Sequence, residues 1–456
     1  MYEDTVLPPI EWYSDDVMCE DLNALGYHHY ISRSYVHHAG SQTLGPNTQK
    51  LHDEAVPWLV KNRPQYLDLF FGEGARKKME KKLKICVYTI TKNEEQFIKR
   101  WADSARDADL MLIADTGSTD DTVKVAKENG VAVHEICITP WRFDHARNAS
   151  LALIPGDMDI CICLDADEVM EPGWREEIER VWAPGETTHL RYKFDWGCGI
   201  SFFYEKIHHR HGYHWHHPVH EYPRPDGRIT EVYAHTDMLL VSHHPDPTKS
   251  RGQYMPLLEL AVKEDPHCPR NAFYHARELT FYARWDEAIV ALKKYLEMPE
   301  ANWPNERCYA MRLLGKAYAE KGWAHEALKW FRLAVAEAPG TREPWVELSI
   351  QCYRFNMWAE SYAAAKSALQ ITDKALVYTM DPSVWTEKPW DYASIAAWNL
   401  GLKDEAVTLC EKALEFAPSD MRLQSNLRHM TGQAPIVSFD VVEDRKSTRL
   451  NSSHVA

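Results

Sequence analysis

The chain has 456 residues, 45% of them apolar and 26% charged, with a net charge of −15. That length holds more than one domain with ample core, and the acidic balance argues against a nucleic-acid partner, which would need a basic face. No apolar run reaches the roughly 18 residues of a membrane span, no signal-peptide pattern opens the chain, and the ten cysteines include no CxxC pair, so a reducing, cytoplasmic setting (bacterial, or a virus-infected host cell) is expected.

In residues 1–80, Glu11-Trp12-Tyr13-Ser14-Asp15-Asp16 precedes a helical stretch to Ala24. Gly26-Tyr27, a strand-like segment over 30–36 and His37-His38-Ala39-Gly40-Ser41 follow. This order resembles the last part of a family 2 glycosyltransferase domain whose donor-binding first half is missing. The resemblance implies a longer gene or a relic; a helical extension without chemistry is the equal alternative.

From residue 81, short β-branched runs alternate with helical stretches. Residues 84–90 read as a first strand, Asn93-Glu94-Glu95 opens a helix to about Ser104, and residues 110–114 form a second strand. Asp115-Thr116-Gly117-Ser118-Thr119-Asp120 caps a helix ending near Gly130, and residues 131–134 form a third strand. That order predicts right-handed crossovers and an α/β domain with a mostly parallel sheet.

The fourth strand, Ile160-Cys161-Ile162-Cys163-Leu164, reads as buried on both faces, its thiols on one side, and ends in Asp165-Ala166-Asp167-Glu168. Ligands in such sheets sit beyond the carboxyl ends of strands. Carboxylates gathered there need a cation, and Mg²⁺ or Mn²⁺ held by one or two carboxylates plus substrate phosphates meets the need. The plainer alternative is a helix start with Glu168 and Glu171 in its first turn.

Four motifs now stand in order: Thr91-Lys92-Asn93-Glu94, Asp115-Thr116-Gly117-Ser118-Thr119-Asp120, Trp141-Arg142-Phe143-x-x-Ala146-Arg147-Asn148 and Leu164-Asp165-Ala166-Asp167-Glu168. Together they resemble an inverting family 2 glycosyltransferase of the A-type fold, in the branch of lipopolysaccharide-core glucosyltransferases, over roughly residues 83–245. The resemblance implies a nucleotide-diphospho-sugar donor and a divalent metal, Mn²⁺ or Mg²⁺. It places Thr89, Glu94, Asp115, Arg147 and Asp165 at the nucleotide sugar and Asp167 on the metal. Bottom-up, Asp115 leaves its strand where a carboxylate can accept from a nucleobase or ribose, and Gly117 allows the turn; a plain turn and cap is the alternative.

Residues 188–196 read as another strand. The histidine-dense segment 208–221 invites zinc, but no Cys lies within it and strand alternation scatters the rings over two faces. Only His220-Glu221 matches the family motif, and Glu221 is the expected general base. A strand over 238–242 delivers His243, the expected metal ligand, with His244 the alternate. Lys249 and Arg251 are placed at the diphosphate, against a plain basic helix start.

After residue 252 the chain becomes helical and repetitive. Glu287-Ala288, Glu326-Ala327 and Glu405-Ala406 start helices, while Pro299, Pro339 and Pro418 close them. Leu314-Gly315-Lys316-Ala317-Tyr318 fits a tetratricopeptide first helix, and the whole resembles an array of about four units over 253–430. Such an array would bind a peptide or protein partner or simply brace the transferase. Stacked repeats contact mainly their neighbours, so a break near residue 252 is expected to leave a separate folding unit. Residues 431–456 read as a tail, in which 444–454 resembles a translated sequencing adapter and is set aside as scar.

The expectation is therefore a metal-dependent inverting glycosyltransferase acting on a glycan, lipid-linked or protein acceptor. A sugar nucleotidyltransferase is disfavoured because the loop after the first strand, Thr89-Ile90-Thr91-Lys92-Asn93-Glu94, has no Gly to cradle phosphates. A non-catalytic peptide-binding adaptor on a transferase-like fold is the third alternative.

Overall fold

The computed structural model describes residues 59–61, 82–246 and 252–433. The readings of 1–80 (apart from 59–61), of Lys249 and Arg251, and of the tail beyond 433 lie outside them.

An eight-stranded sheet is the frame of the first domain. The parallel strands β1 (Ile85–Thr91), β2 (Leu110–Asp115), β3 (Ala132–Glu135) and β4 (Ile160–Cys163) alternate with α1 (Glu95–Ser104), α2 (Thr122–Glu128) and α3 (Phe143–Leu153). The strand order is β3-β2-β1-β4-β7-β6-β10-β5, so the winding reverses between β1 and β4, the place where such sheets open a crevice. β7 (Ile200–His209) runs antiparallel to β4 and to β6 (His189–Gly197); β10 (Tyr233–His243) runs parallel to β6.

The sequence explains these elements. Ile85, Val87, Ile160 and Ile162 pack one sheet face against Ile98 and Trp101 of α1, while Cys86, Tyr88, Cys161 and Cys163 line the other beside Trp215. The two strand-end thiols are thus core residues, and burial pushes the Cys163 thiol up to about 12. The plainer alternative at the strand end does not hold. Glu168 opens no helix: it begins the short strand β5 (Glu168–Met170), antiparallel to β10, and the next helix, α4 (Trp174–Val181), starts only after Gly173 turns the chain at φ +88°.

Beyond residue 252, α5 (Tyr254–Glu264) leads into four helix pairs. They are α6 (Pro269–Phe281) with α7 (Trp285–Glu297), α8 (Pro304–Glu320) with α9 (Ala324–Glu337), α10 (Arg342–Arg354) with α11 (Trp358–Gln370), and α12 (Lys388–Asn399) with α13 (Lys403–Phe416). α14 (Met421–Met430) follows the last pair. Gly315 on α8 explains one close approach, since a Cβ there would stand 2.8 Å from the Phe331 ring on α9.

The boundary near 252 is not bare. Val219 of the first domain is buried in the apolar core of the array beside Leu258 and Phe273, and Arg142 Nη1 donates to Glu264 Oε1 at 2.6 Å.

Candidate active site

At the β1/β2 end of the crevice, two loops lace together. Asn93, held at φ +58°, donates its N–H to Ser118 Oγ at 2.8 Å and accepts from the Thr119 N–H at 2.8 Å. The Glu94 N–H donates to Thr122 Oγ1 at 2.7 Å. Asp115 is buried, and its carboxylate accepts from Thr91 Oγ1, the Ser118 hydroxyl and the backbone N–H groups of Gly117 and Ser118. In this state Asp115 shapes the loop, and Gly117 permits it at φ +98°. Thr89 is fully buried within β1, its hydroxyl donating to the Ile90 carbonyl at 3.3 Å.

The centre lies where β4 ends, its exit pinned by Trp101 Nε1 donating to the Leu164 carbonyl at 2.9 Å. The buried Arg147 of α3 connects the carboxylates: Nη2 donates to Asp165 Oδ1 at 2.5 Å and Nε to Glu221 Oε1 at 2.9 Å. Nη1 meets Cys163 Sγ at 3.0 Å, and the guanidinium lies 5.3 Å from the Trp215 ring centroid. The cation expected against the nucleotide is here committed to ordering the protein's own acids. Its neighbour Asn148 pairs with the Trp215 backbone in both directions, 2.9 and 2.8 Å, which fixes α3 to β8 (Tyr213–His216).

Lys206 was missed at the level of sequence. Its ammonium donates to Asp165 Oδ2 at 2.9 Å and to both Glu168 oxygens at 2.6 and 2.8 Å. A lone lysine in the aromatic run Ser201-Phe202-Phe203-Tyr204-Glu205-Lys206-Ile207 was the available signal, since a lysine buried inside a strand needs an acid. Burial opposes ionisation of Asp165, but Arg147 and Lys206 outweigh it and hold this carboxyl well below the usual range. Glu168 goes the other way, raised chiefly by burial although Lys206 pulls it down. Burial also raises Glu221 against the pull of Arg147, which makes it a stronger base than an exposed glutamate.

Asp167 and His243 stand side by side. His243 Nε2 stands 3.4 Å from Asp167 Oδ2, and the imidazole packs at a tilt of 32° against Trp196, 4.1 Å between centroids. Its Nδ1 is buried with no hydrogen-bond partner among the described residues. His244 instead uses its backbone N–H to reach the Asp167 carbonyl at 2.8 Å. No cluster of three or more His, Cys, Asp or Glu side chains arranged for a metal exists among the described residues. One carboxylate and one imidazole fit a divalent ion whose other ligands come from substrate oxygens and water.

The histidines of 208–217 are dispersed. His208 is buried against Tyr88, Nε2 to OH 3.1 Å, and burial pushes it down to about 3; His217 goes to about 4 for the same reason. His211 reaches the Gly156 carbonyl. These are packing and loop contacts.

With this geometry in view, the family profile described as "Glycosyl transferase family 2" matches residues 86–241. Residues 86–241 form a family 2 glycosyltransferase domain. A tetratricopeptide-repeat profile matches residues 392–420, from within α12 through α13 to the start of α14. An uncharacterized glycosyltransferase of Rickettsia typhi is 35% identical over 112 residues, covering 24% of this chain and 37% of the relative. One of Rickettsia conorii is 33% identical over 112 residues, covering 24% and 38%. The chain thus spans under two-fifths of the length of the curated relatives it matches. The helical array is similar to YrrB, a tetratricopeptide protein with an unusual peptide-binding site, at 15% identity and TM-score 0.32, covering 38% of this chain and 82% of that one. It is also similar to a thermophilic tetratricopeptide protein of Thermus thermophilus, at 22% identity and TM-score 0.28, covering 40% and 91%. Among the described residues no helix is long and apolar enough to cross a membrane.

Proposed function

We propose that the chain transfers a sugar from a nucleotide-diphospho-sugar to an acceptor hydroxyl with inversion, dependent on a divalent metal held by Asp167 and His243. The pairing of those two side chains across the end of the crevice is the observation that carries this reading. When bound, the ion supplies Lewis-acid stabilisation of the leaving diphosphate.

The protein's residues do the rest. Asp165, kept ionised by Arg147 and Lys206, offers its remaining acceptor capacity to a sugar or ribose hydroxyl. Glu221, tied to the same guanidinium, takes the proton from the acceptor hydroxyl as it attacks the anomeric carbon. Arg147 and Lys206 hold the acids against mutual repulsion, so no reorganisation is needed at the moment of transfer. The setting that goes with this reading is cytoplasmic, and the acceptor chemistry of the lipopolysaccharide-core branch belongs to the same proposal.

A thermal-shift panel of nucleotide sugars with and without Mn²⁺ tests it. A donor that binds only the folded chain raises its melting temperature by mass action, and the shift should require the ion. No shift with any donor would count against the reading.

A further inference from the structure

A cavity of about 730 Å³ opens between the transferase domain and the first helices of the array, in the ordinary range for small-molecule sites. Its walls come from both sides. Glu221, Lys206 and Trp196 line it from the transferase domain, and Arg270 and Tyr274 line it from α6. Trp196 is the ring packed against His243, so one wall of the cavity adjoins the Asp167–His243 pair.

The lining is mainly aromatic and charged, with Pro223, Pro225 and Pro269 between, and among the described residues no Leu, Ile, Val or Met takes part. A lipid chain would find only these proline rings as aliphatic wall. Flat rings beside carboxylates and a guanidinium suit a pyranose, whose C–H faces pack on aromatic rings while its hydroxyls take the polar groups. The Trp196 indole N–H is buried with no partner among the described residues. Among the described residues Arg270 spends only Nε, which donates to the His220 carbonyl at 3.1 Å, and its guanidinium lies 5.0 Å and 4.9 Å from the ring centroids of Tyr222 and Tyr274.

The same helix holds the loop that carries Glu221. His217 and His220 adopt φ of +80° and +53°, a strained conformation for residues with a side chain, which persists only when the surroundings impose it. The surroundings are the array: Val219 is buried in its core, His220 stacks on Tyr274 at 4.0 Å, and Arg270 caps the His220 carbonyl.

We infer that this interdomain cavity is the acceptor site, that the acceptor it takes is a saccharide, and that Arg270 of the helical array binds it. The inference rests on the proposed transferase reading and adds that the active site is incomplete without the array. The acceptor hydroxyl loses its proton to Glu221 while its oxygen bonds the anomeric carbon and the nucleoside diphosphate departs.

The test uses the full chain, Mn²⁺, a panel of UDP- and GDP-sugars and, as acceptor probes, p-nitrophenyl pyranosides and free disaccharides. Nucleoside-diphosphate release is read above the donor-only rate. Protection of Cys268, which lines the cavity, from maleimide is read by peptide mass. A saccharide should stimulate release and protect Cys268. Arg270→Ala should raise its KM about tenfold or more with the donor KM unchanged, and Arg270→Lys, the milder change should the first misfold, should fall between. Unchanged acceptor KM in both variants would overturn the inference. So would donor hydrolysis that no saccharide stimulates, or that only a peptide stimulates, and the transferase reading would then survive. Cys268 protection without any donor turnover would keep the saccharide site and remove the transferase reading; neither protection nor turnover would remove both.

Discussion

Arg147 Nε donates to Glu221 Oε1 at 2.9 Å, tying the expected base to the guanidinium that also holds Asp165. The base is thus placed by a residue whose own position is set by the sheet. Glu221→Gln keeps the shape and one acceptor for Arg147. Donor binding should persist while turnover falls roughly 10²-fold or more. Wild-type turnover in that variant would remove Glu221 from the mechanism.

The pH profile follows from the same geometry. Burial raises the Glu221 pKa above its ordinary 4.5, and a base must be ionised to act. Turnover should therefore fall as pH drops through a value above 4.5, and that acid limb should be missing from the residual rate of Glu221→Gln. An identical limb in both proteins would assign it to another group.

Lys206→Met tests the buried charge cluster. Lys206 and Glu168 have side chains only 4% and 3% exposed, so losing the ammonium leaves Glu168 buried without its cation. Breaking such a pair costs about 3–5 kcal/mol. Without Lys206, the Glu168 pKa rises further above its unfolded value. The stability deficit, read by urea unfolding, should be least below pH 4.5 and should grow as pH rises. A loss under about 1 kcal/mol at pH 7 would contradict the description of the cluster.

Gly315→Ala probes the array alone. The new Cβ would meet the Phe331 ring at 2.8 Å, and overpacking of this kind costs about 1–3 kcal/mol. The better helix propensity of Ala returns up to about 1 kcal/mol. A small net destabilisation is expected in urea, with donor binding unchanged.

Much of this was legible in sequence because it is local. The β-branched runs over β1 and β4, the Gly117 turn and the Glu-Ala helix starts each announce their element within a few residues. Asp167 and His243 were paired by resemblance to a family, and the structure brings them to 3.4 Å. What could not be read is long-range. Nothing near Lys206 says which acids lie across β7 from it, and no local signal shows Arg147 turned inward onto Asp165 and Glu221. The Arg270–His220 contact joins two domains, and such a pairing has no period or spacing to betray it. Glu168 shows the reverse case: its local pattern also fits a helix start, the plainer alternative, and pairing with β10 overrides it.

The most direct measurement is nucleoside-diphosphate release from the donor panel by wild type and Asp167→Asn, each with Mn²⁺ and with chelator. The wild type should turn over at least one donor only with the metal. Asp167→Asn should lose roughly 10²-fold or more while melting at the wild-type temperature in the absence of ligand. Equal turnover in chelator, or wild-type turnover by Asp167→Asn with Mn²⁺, would contradict metal-dependent transfer at this site.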